Sequence, residues 1–426
     1  MEEKMERALI VGVHINTDRK SSMAFALAMD EMNSLVKACD MQPVGSIEQN
    51  MEHANTATYI GAGKVEEVRA AAAALEAEIV VFDNGLSPIQ LRNLQEELDC
   101  PVIDRTTLIL EIFSTRAQTR EAKLQVEVAR LQYMLPRLVG LHAALSRQGG
   151  TSGSMSSRGV GEKKLELDRR RLEQRLTSMK RELEEISGER RTQRKKRAES
   201  GLPRVTLVGY TNAGKSTVMN MLLSAYGIKE EKQVLEKDML FATLDTTVRR
   251  IAPPERNAFL LSDTVGFISN LPHSLVKAFR STLEEVKEAD VLLQIIDYSD
   301  ENYREHMSVT EDTLRELGAG NIPMIYVFNK ADLCGMGELA AVQGEDKIYM
   351  SAKSQNGIDA LLTLIFGKLS GGYQDCKLLI PYKRGDIVSY LNDNAVVYAT
   401  AYQEQGVYLE ANMTVRDAGR FREYLL

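Results

Sequence analysis

Residues 209–217, Gly-Tyr-Thr-Asn-Ala-Gly-Lys-Ser-Thr, constrain this chain more than any other stretch. They follow a short apolar run, Val205 to Val208, and precede helix-compatible residues from Thr217 to Leu223. A strand, a glycine-bounded loop and a helix in that order make a cradle for nucleotide phosphates. Gly209 and Gly214 let the backbone come close to phosphate oxygens. The N–H groups of Tyr210, Thr211, Asn212 and Ala213 and the positive helix end then face the anion. Lys215 can reach the β- and γ-phosphates, the Ser216 hydroxyl can ligate Mg²⁺, and Thr217 closes the contact set. The surrounding fold is expected to be α/β, with a mostly parallel sheet and helices on both faces. The cradle by itself accepts either ATP or GTP.

Three later stretches select the base. The strand-like run Phe259 to Ser262 ends in Asp263-Thr-Val-Gly266. A carboxylate there can hold the Mg²⁺ shell, and Gly266 lets its N–H approach the γ-phosphate. Met324 to Phe328 reads as a buried strand ending in Asn329-Lys-Ala-Asp332. Asp332 can accept the two guanine N–H donors that adenine does not present. Asn329 can bond the base edge and tie the loops, and the Lys330 stem can cover the ring. After a further short strand, Ser351-Ala-Lys353 offers a backbone N–H to the guanine O6. Each piece alone is a common strand-end turn, but four in this order specify a GTPase that cycles between GTP and GDP.

The first switch and the hydrolytic step are less constrained. A Mg²⁺-sensing threonine is expected in Phe241 to Val248. Thr243 is preferred, with Thr246 and Thr247 as alternatives. The residue after Gly266 is Phe267, where many small GTPases carry a water-orienting glutamine; phenylalanine cannot hydrogen-bond water, so the task passes to another group. Asn212 can ligate K⁺ beside the phosphates, placing charge where an arginine finger would act, or it can simply form an Asx turn. Lys215, Asn212 and Gly266 are thus the expected catalytic residues.

At 426 residues the chain exceeds one ordinary core. Cys39, Cys100, Cys334 and Cys376 lack metal-ligand spacing and read as reduced thiols, pointing to the cytoplasm. No apolar stretch approaches the ~20 residues that a membrane span needs. The net charge is −7, yet residues 147–200 hold 16 Lys/Arg against 9 Asp/Glu, a local balance of +7. Such a cluster is either the footprint of a phosphate-backbone partner or a solvated helix face.

Four segments follow from the pattern. Residues 1–104 alternate strands (Ala8 to Val13, Ile79 to Phe82, Pro101 to Ile103) with helices (Ser22 to Ala38, Ser87 to Leu98), implying an N-terminal α/β domain. Within it, Gly61-Ala-Gly-Lys64 is either a strand-to-helix turn or an anion seat for ATP. Residues 105–200 carry apolar seams at Leu124, Val128, Leu131, Leu135, Leu138 and at Leu172, Leu176, Met179, Leu183, Ile186. These predict a coiled-coil-like helical hairpin, with Pro136 ending or kinking its first helix. The Gly/Ser-rich stretch Gln148 to Gly161 is expected to form an irregular, basic-flanked loop at its tip. Residues 201–370 form the GTPase domain, and 371–426 a small α+β domain.

Taken together the chain resembles the HflX family of translational GTPases along essentially its whole length. The resemblance rests on Tyr59 to Lys64, Phe82 to Ser87, Glu121 to Val126, Leu165 to Arg171, the 209–217 cradle, Asp263 to Ile268, Leu271-Pro-His273 and Phe279 to Glu285. Such proteins bind the large (50S) ribosomal subunit, hydrolyse GTP, and in several cases split stalled or idle ribosomes under stress. The resemblance implies a monomeric cytoplasmic factor at the ribosome or a membrane surface, with the hairpin loop reaching rRNA near the peptidyl-transferase region. It also implies the hydrophobic residue at Phe267. The chain departs from the family in its longer, serine-rich loop, with Val160 in place of a proline, in Thr246 after Asp245, and in Ser269-Asn270 where a charged pair is common. An occupancy-type or antibiotic-protection factor, or a GTPase acting on other RNA, is the alternative expectation.

Overall fold

A computed structural model of the chain describes residues 5–15, 22–148, 155–199, 201–227, 240–241, 244, 246–254, 256–269, 272, 275, 285–335, 341–369 and 373–426. The chain divides into two compact units: Met1–Ile186 with Met239–Phe241 and Asn270–Phe279, and Ser187–Asp238 with Ala242–Ser269 and Arg280–Leu426.

In the first unit, β1 (Glu6–Ile15), α1 (Ser22–Ala38), β2 (Met41–Met51), α2 (Ala62–Ala74), β3 (Ile79–Phe82), α3 (Pro88–Leu98), β4 (Val102–Asp104) and α4 (Arg105–Arg116) alternate. The sheet is parallel, in the order β2-β1-β3-β4. Leu9, Val11, Val80 and Phe82 are buried in its core, which is why the inner strands read as continuous apolar runs. Strand β2 carries no such run. It lies at the sheet edge, where Pro43 costs no ladder bond and a register shift between Ala8 and Leu9 is tolerated. Helix α3 starts on a capping box: the Ser87 hydroxyl accepts from the Gln90 N–H (3.3 Å) and the Ser87 N–H donates to Gln90 Oε1 (2.9 Å).

Two long helices follow, α5 (Arg120–Gln148) and α6 (Met155–Glu199). At 1.5 Å per residue they span about 43 and 67 Å. Helix α5 continues through Pro136 instead of ending there, with twelve residues beyond it. A proline forfeits one intrahelical bond, whereas extending an existing helix adds one per residue fixed. Helix α6 likewise begins inside the stretch expected to be irregular, so Met155 to Gly161 is helical. The remainder of that loop, 149–154, lies outside the described residues.

Buried Asp104 joins α5 to the sheet. One oxygen caps α4 through the Thr107 N–H (3.0 Å), and the other accepts from the Leu86 N–H (3.1 Å), from Arg137 (3.1 Å) and from the Tyr133 hydroxyl. Burial and the Asp104 charge push the Tyr133 phenol well above its ordinary range, so it stays a donor. Nearby, buried Arg105 is held by Asp83 (2.5 Å) and Glu31.

The second unit contains β5 (Arg204–Val208), α7 (Lys215–Tyr226), β6 (Thr247–Ile251), β7 (Phe259–Asp263), β8 (Val291–Asp297), α8 (Tyr303–Glu316), β9 (Met324–Asn329), β10 (Ala341–Gln343), β11 (Lys347–Tyr349) and α9 (Ile358–Leu369). Its seven strands run β10-β11-β9-β8-β5-β7-β6. All pairs are parallel except β6–β7 and β10–β11 at the two edges. The strand order reverses around β5, and in open α/β sheets ligands bind at the carboxyl ends of strands at such a point.

A three-stranded antiparallel sheet, β12 (Tyr373–Ile380), β14 (Gly406–Thr414) and β13 (Val396–Gln403), packs on α10 (Gly385–Asn394) and α11 (Val415–Arg420). Asn257, just before β7, ties it to the larger sheet by bonding Asn412 (2.7 Å) and the Val396 N–H (3.1 Å). No helix among the described residues is long and apolar enough to cross a membrane.

Candidate functional site

Strand β5 ends in fully buried Val208, and the chain turns out at Gly209 with φ +143°. A Cβ at Gly209 would lie 2.3 Å from the Ile295 carbonyl oxygen of β8, so the turn can pass this close to the neighbouring strand only as glycine. The loop then passes through Asn212 (φ +60°) to Gly214 (φ +93°), where a Cβ would lie 2.3 Å from Asn329 Nδ2. Helix α7 opens at Lys215 with no side chain capping its first turn. Its leading N–H groups therefore offer the positive helix end to an anion.

Lys215 is buried, and its ammonium donates to the carbonyls of Gly209 (3.1 Å) and Tyr210 (2.7 Å). Burial lowers its pKa to about 8, against an opposing pull from Asp263. In the folded protein without nucleotide, the charged form is thus disfavoured relative to the unfolded chain. Stability on this account rises as pH climbs from about 8 towards 10.5. A polyphosphate stabilises the ammonium and raises its pKa again. Nucleotide binding at pH 8.5 is therefore expected to take up a proton, and affinity to fall above pH 8. Calorimetry in two buffers of different ionisation enthalpy measures the uptake; an identical heat in both would refute it.

The Ser216 hydroxyl donates to Asp263 Oδ2 at 2.9 Å, and Asp263 is fully buried at the end of β7. The pair is in reach because β7 lies beside β5, with Leu207 in register with Asp263. A hydroxyl and a carboxylate are the hard oxygen donors that Mg²⁺ takes, the rest of its shell coming from phosphate and water. Gly266 packs against the phosphate loop, and a Cβ there would lie 2.8 Å from Thr211 Cα. Thr243 lies outside the described residues. Of its alternatives, Thr246 precedes β6 and Thr247 opens that strand opposite Asp263.

Asn329, at the buried end of β9, clamps two loops. Its Nδ2 donates to the Ala213 carbonyl (3.0 Å), and its Oδ1 accepts from the Ala352 N–H (3.0 Å). Asp297, which the sequence motifs do not single out, receives Lys330 Nζ at 2.6 Å. Lys330 also reaches the Asn212 carbonyl at 3.0 Å, so its ammonium bridges the phosphate loop and the end of β8. A signal for Asp297 was present: it ends an apolar strand, as Asp263 does. Asp332 is exposed in the 3₁₀ turn Ala331–Cys334, and Lys353 is exposed beside buried Ser351 and Ala352. Asn212, at the loop's outer bend, is also exposed.

Four family models match in succession: GTP-binding GTPase N-terminal over residues 27–114, GTP-binding GTPase Middle Region over 116–197, 50S ribosome-binding GTPase over 204–330, and HflX C-terminal domain over 338–425. A GTPase HflX of Caldanaerobacter subterraneus is 39% identical over 421 residues, covering 99% of this chain and 94% of that one. The GTPase HflX of Escherichia coli is 36% identical over 417 residues, covering 97% and 94%. Among solved structures, a GTP-binding protein from Sulfolobus solfataricus in complex with GDP has 23% identity and a TM-score of 0.42, covering 86% of this chain and 99% of that one. With relatives this similar along nearly its entire length, the chain belongs to the HflX family and is a GTP-hydrolysing enzyme.

Proposed function

We propose that this GTPase acts on the large ribosomal subunit and separates the subunits of stalled or idle ribosomes. The observation that carries the GTP-switched part is the Asn329 clamp, which links the phosphate loop to the Ser351–Lys353 turn and so joins phosphate and base recognition. In this reading Gly209 to Thr217 hold the phosphates, Gly266 senses the γ-phosphate, and Asn329, Lys330, Asp332 and Ser351 to Lys353 hold guanine. Mg²⁺ would be held by Ser216, Asp263 and Thr243, and would neutralise phosphate charge. K⁺, if used, would be held by Asn212. The ribosomal part is supported by the match to the 50S ribosome-binding GTPase model and by the +7 balance of residues 147–200 on an acidic chain. Most of that charge lies along the single long helix α6, where its Lys and Arg side chains can meet rRNA phosphates. The factor works as a cytoplasmic monomer.

The test is the GTPase rate with and without purified 50S subunits, in K⁺ and in Na⁺ at equal ionic strength. We expect slow basal turnover, strong stimulation by 50S, and a K⁺ advantage of roughly tenfold from charge beside the phosphates. Turnover indifferent to 50S refutes the ribosomal reading. Equal rates in the two salts refute the role of Asn212 alone.

A further inference from the structure

The phosphate loop is joined to the segment behind Gly266 by a side chain as well as by backbone. The backbone joint is short: the Thr211 N–H donates to the Phe267 carbonyl (2.8 Å), and the Phe267 N–H to the Gly209 carbonyl (3.1 Å). Tyr210 adds a second joint further along. Its hydroxyl lies 2.7 Å from Ser269 Oγ and accepts the Ser269 N–H at 3.0 Å. The Tyr210 ring is buried and lies flat on His306 of α8, with centroids 3.9 Å apart and planes 13° from parallel. His306 Nδ1 lies 3.6 Å from Asp300 Oδ2.

We propose that the Tyr210 side chain, seated on His306, is a positioning residue for hydrolysis. It pins residue 269 and thereby fixes the path of Gly266 and Phe267 past the γ-phosphate. Phe267 offers no side-chain hydrogen bond to an attacking water. Placement of that water then depends on where the backbone of this segment lies. Gly266 has little slack, since even a Cβ would strike Thr211 Cα at 2.8 Å. A tyrosine has two side-chain torsions, and stacking plus two hydrogen bonds leave neither free. The phosphate loop thus transmits its own rigidity to the switch three residues beyond Gly266. The inference rests on the guanine-nucleotide reading of the cradle.

Single-turnover and steady-state GTP hydrolysis, with GTP and GDP affinity by calorimetry, test it in the full-length protein. Tyr210→Phe keeps the stacked ring and removes the hydroxyl. It is expected to lower kcat about tenfold with KM and both affinities within about twofold, since small misplacements of reacting groups cost this much or more. Ser269→Ala keeps the N–H bond to the phenol and is expected to lose less. The double variant should be no slower than Tyr210→Phe, because the two changes break one shared joint. His306→Ala should slow turnover, and His306→Phe, which restores a stacking ring, should recover it. A normal kcat in Tyr210→Phe overturns the proposal. So do additive losses in the double variant, or a fall in affinity that accounts for the rate. Absence of GTP binding in the parent protein would instead remove the cradle reading itself.

Discussion

Asp332→Asn is expected to weaken GTP binding roughly 10³-fold and to turn the site towards xanthosine triphosphate. Guanine presents two adjacent donors, N1–H and the 2-amino group, and a carboxylate meets both with acceptors. An amide offers one acceptor and one donor, so one N–H of guanine would face another N–H. Xanthine carries a carbonyl in place of the 2-amino group and pairs with the amide correctly. A site whose buried polar groups lose their partners discriminates by about 10⁴–10⁵, and the exposed setting of Asp332 reduces that figure. The turn itself should survive, because its anchor is Asn329 and its lysine is held by Asp297. Calorimetry with GTP, XTP and ATP measures the exchange. Unchanged GTP affinity in the variant would mean that the 329–332 turn does not read the base.

The inner strands of the large sheet were readable because they are largely buried on both faces and end in recognisable turns. Val205 to Val208, Phe259 to Ser262 and Met324 to Phe328 are all apolar runs, and each is followed by glycine, aspartate or asparagine. Local order of that kind survives in one dimension. Strand β2 did not show itself because an edge strand needs no apolar alternation, and Pro43 and Gly45 read as breakers. Helix α4 was folded into the hairpin expectation because its cap, Asp104, has the composition of any turn. Outside the nucleotide motifs, contacts between residues far apart in sequence left no trace. Tyr133 and Arg137 meet Asp104 about thirty residues away, and Tyr210 meets Ser269 and His306. The start of α6 at Met155 shows the opposite error: composition argued for a loop where a long helix simply continued. Side-chain joints of this kind are set by topology, which brings the carboxyl ends of β5, β7, β8 and β9 to one edge of the sheet.

Lys215→Ala should cost about 10²–10³-fold in kcat, the usual loss on removing one aimed cationic or hydrogen-bonding donor from a site where charge develops. The ammonium is buried at the mouth of α7 and binds two carbonyls of its own loop. Its loss therefore removes both a charge for the phosphates and a brace for Gly209 and Tyr210. A thermal melt and GDP affinity separate the two: loop collapse lowers both, whereas loss of the charge leaves the melt intact. The same variant divides the ribosomal readings. If nucleotide state drives separation, the variant should sediment with 50S subunits yet leave 70S particles whole. If the protein works by occupancy, with hydrolysis serving its release, separation or protection should persist while the bound fraction rises. A factor whose hold on the particle depended on neither would show equal binding and equal separation in parent and variant. That outcome would detach the nucleotide site from the ribosomal role, because a switch with no differential affinity between its two states shifts nothing.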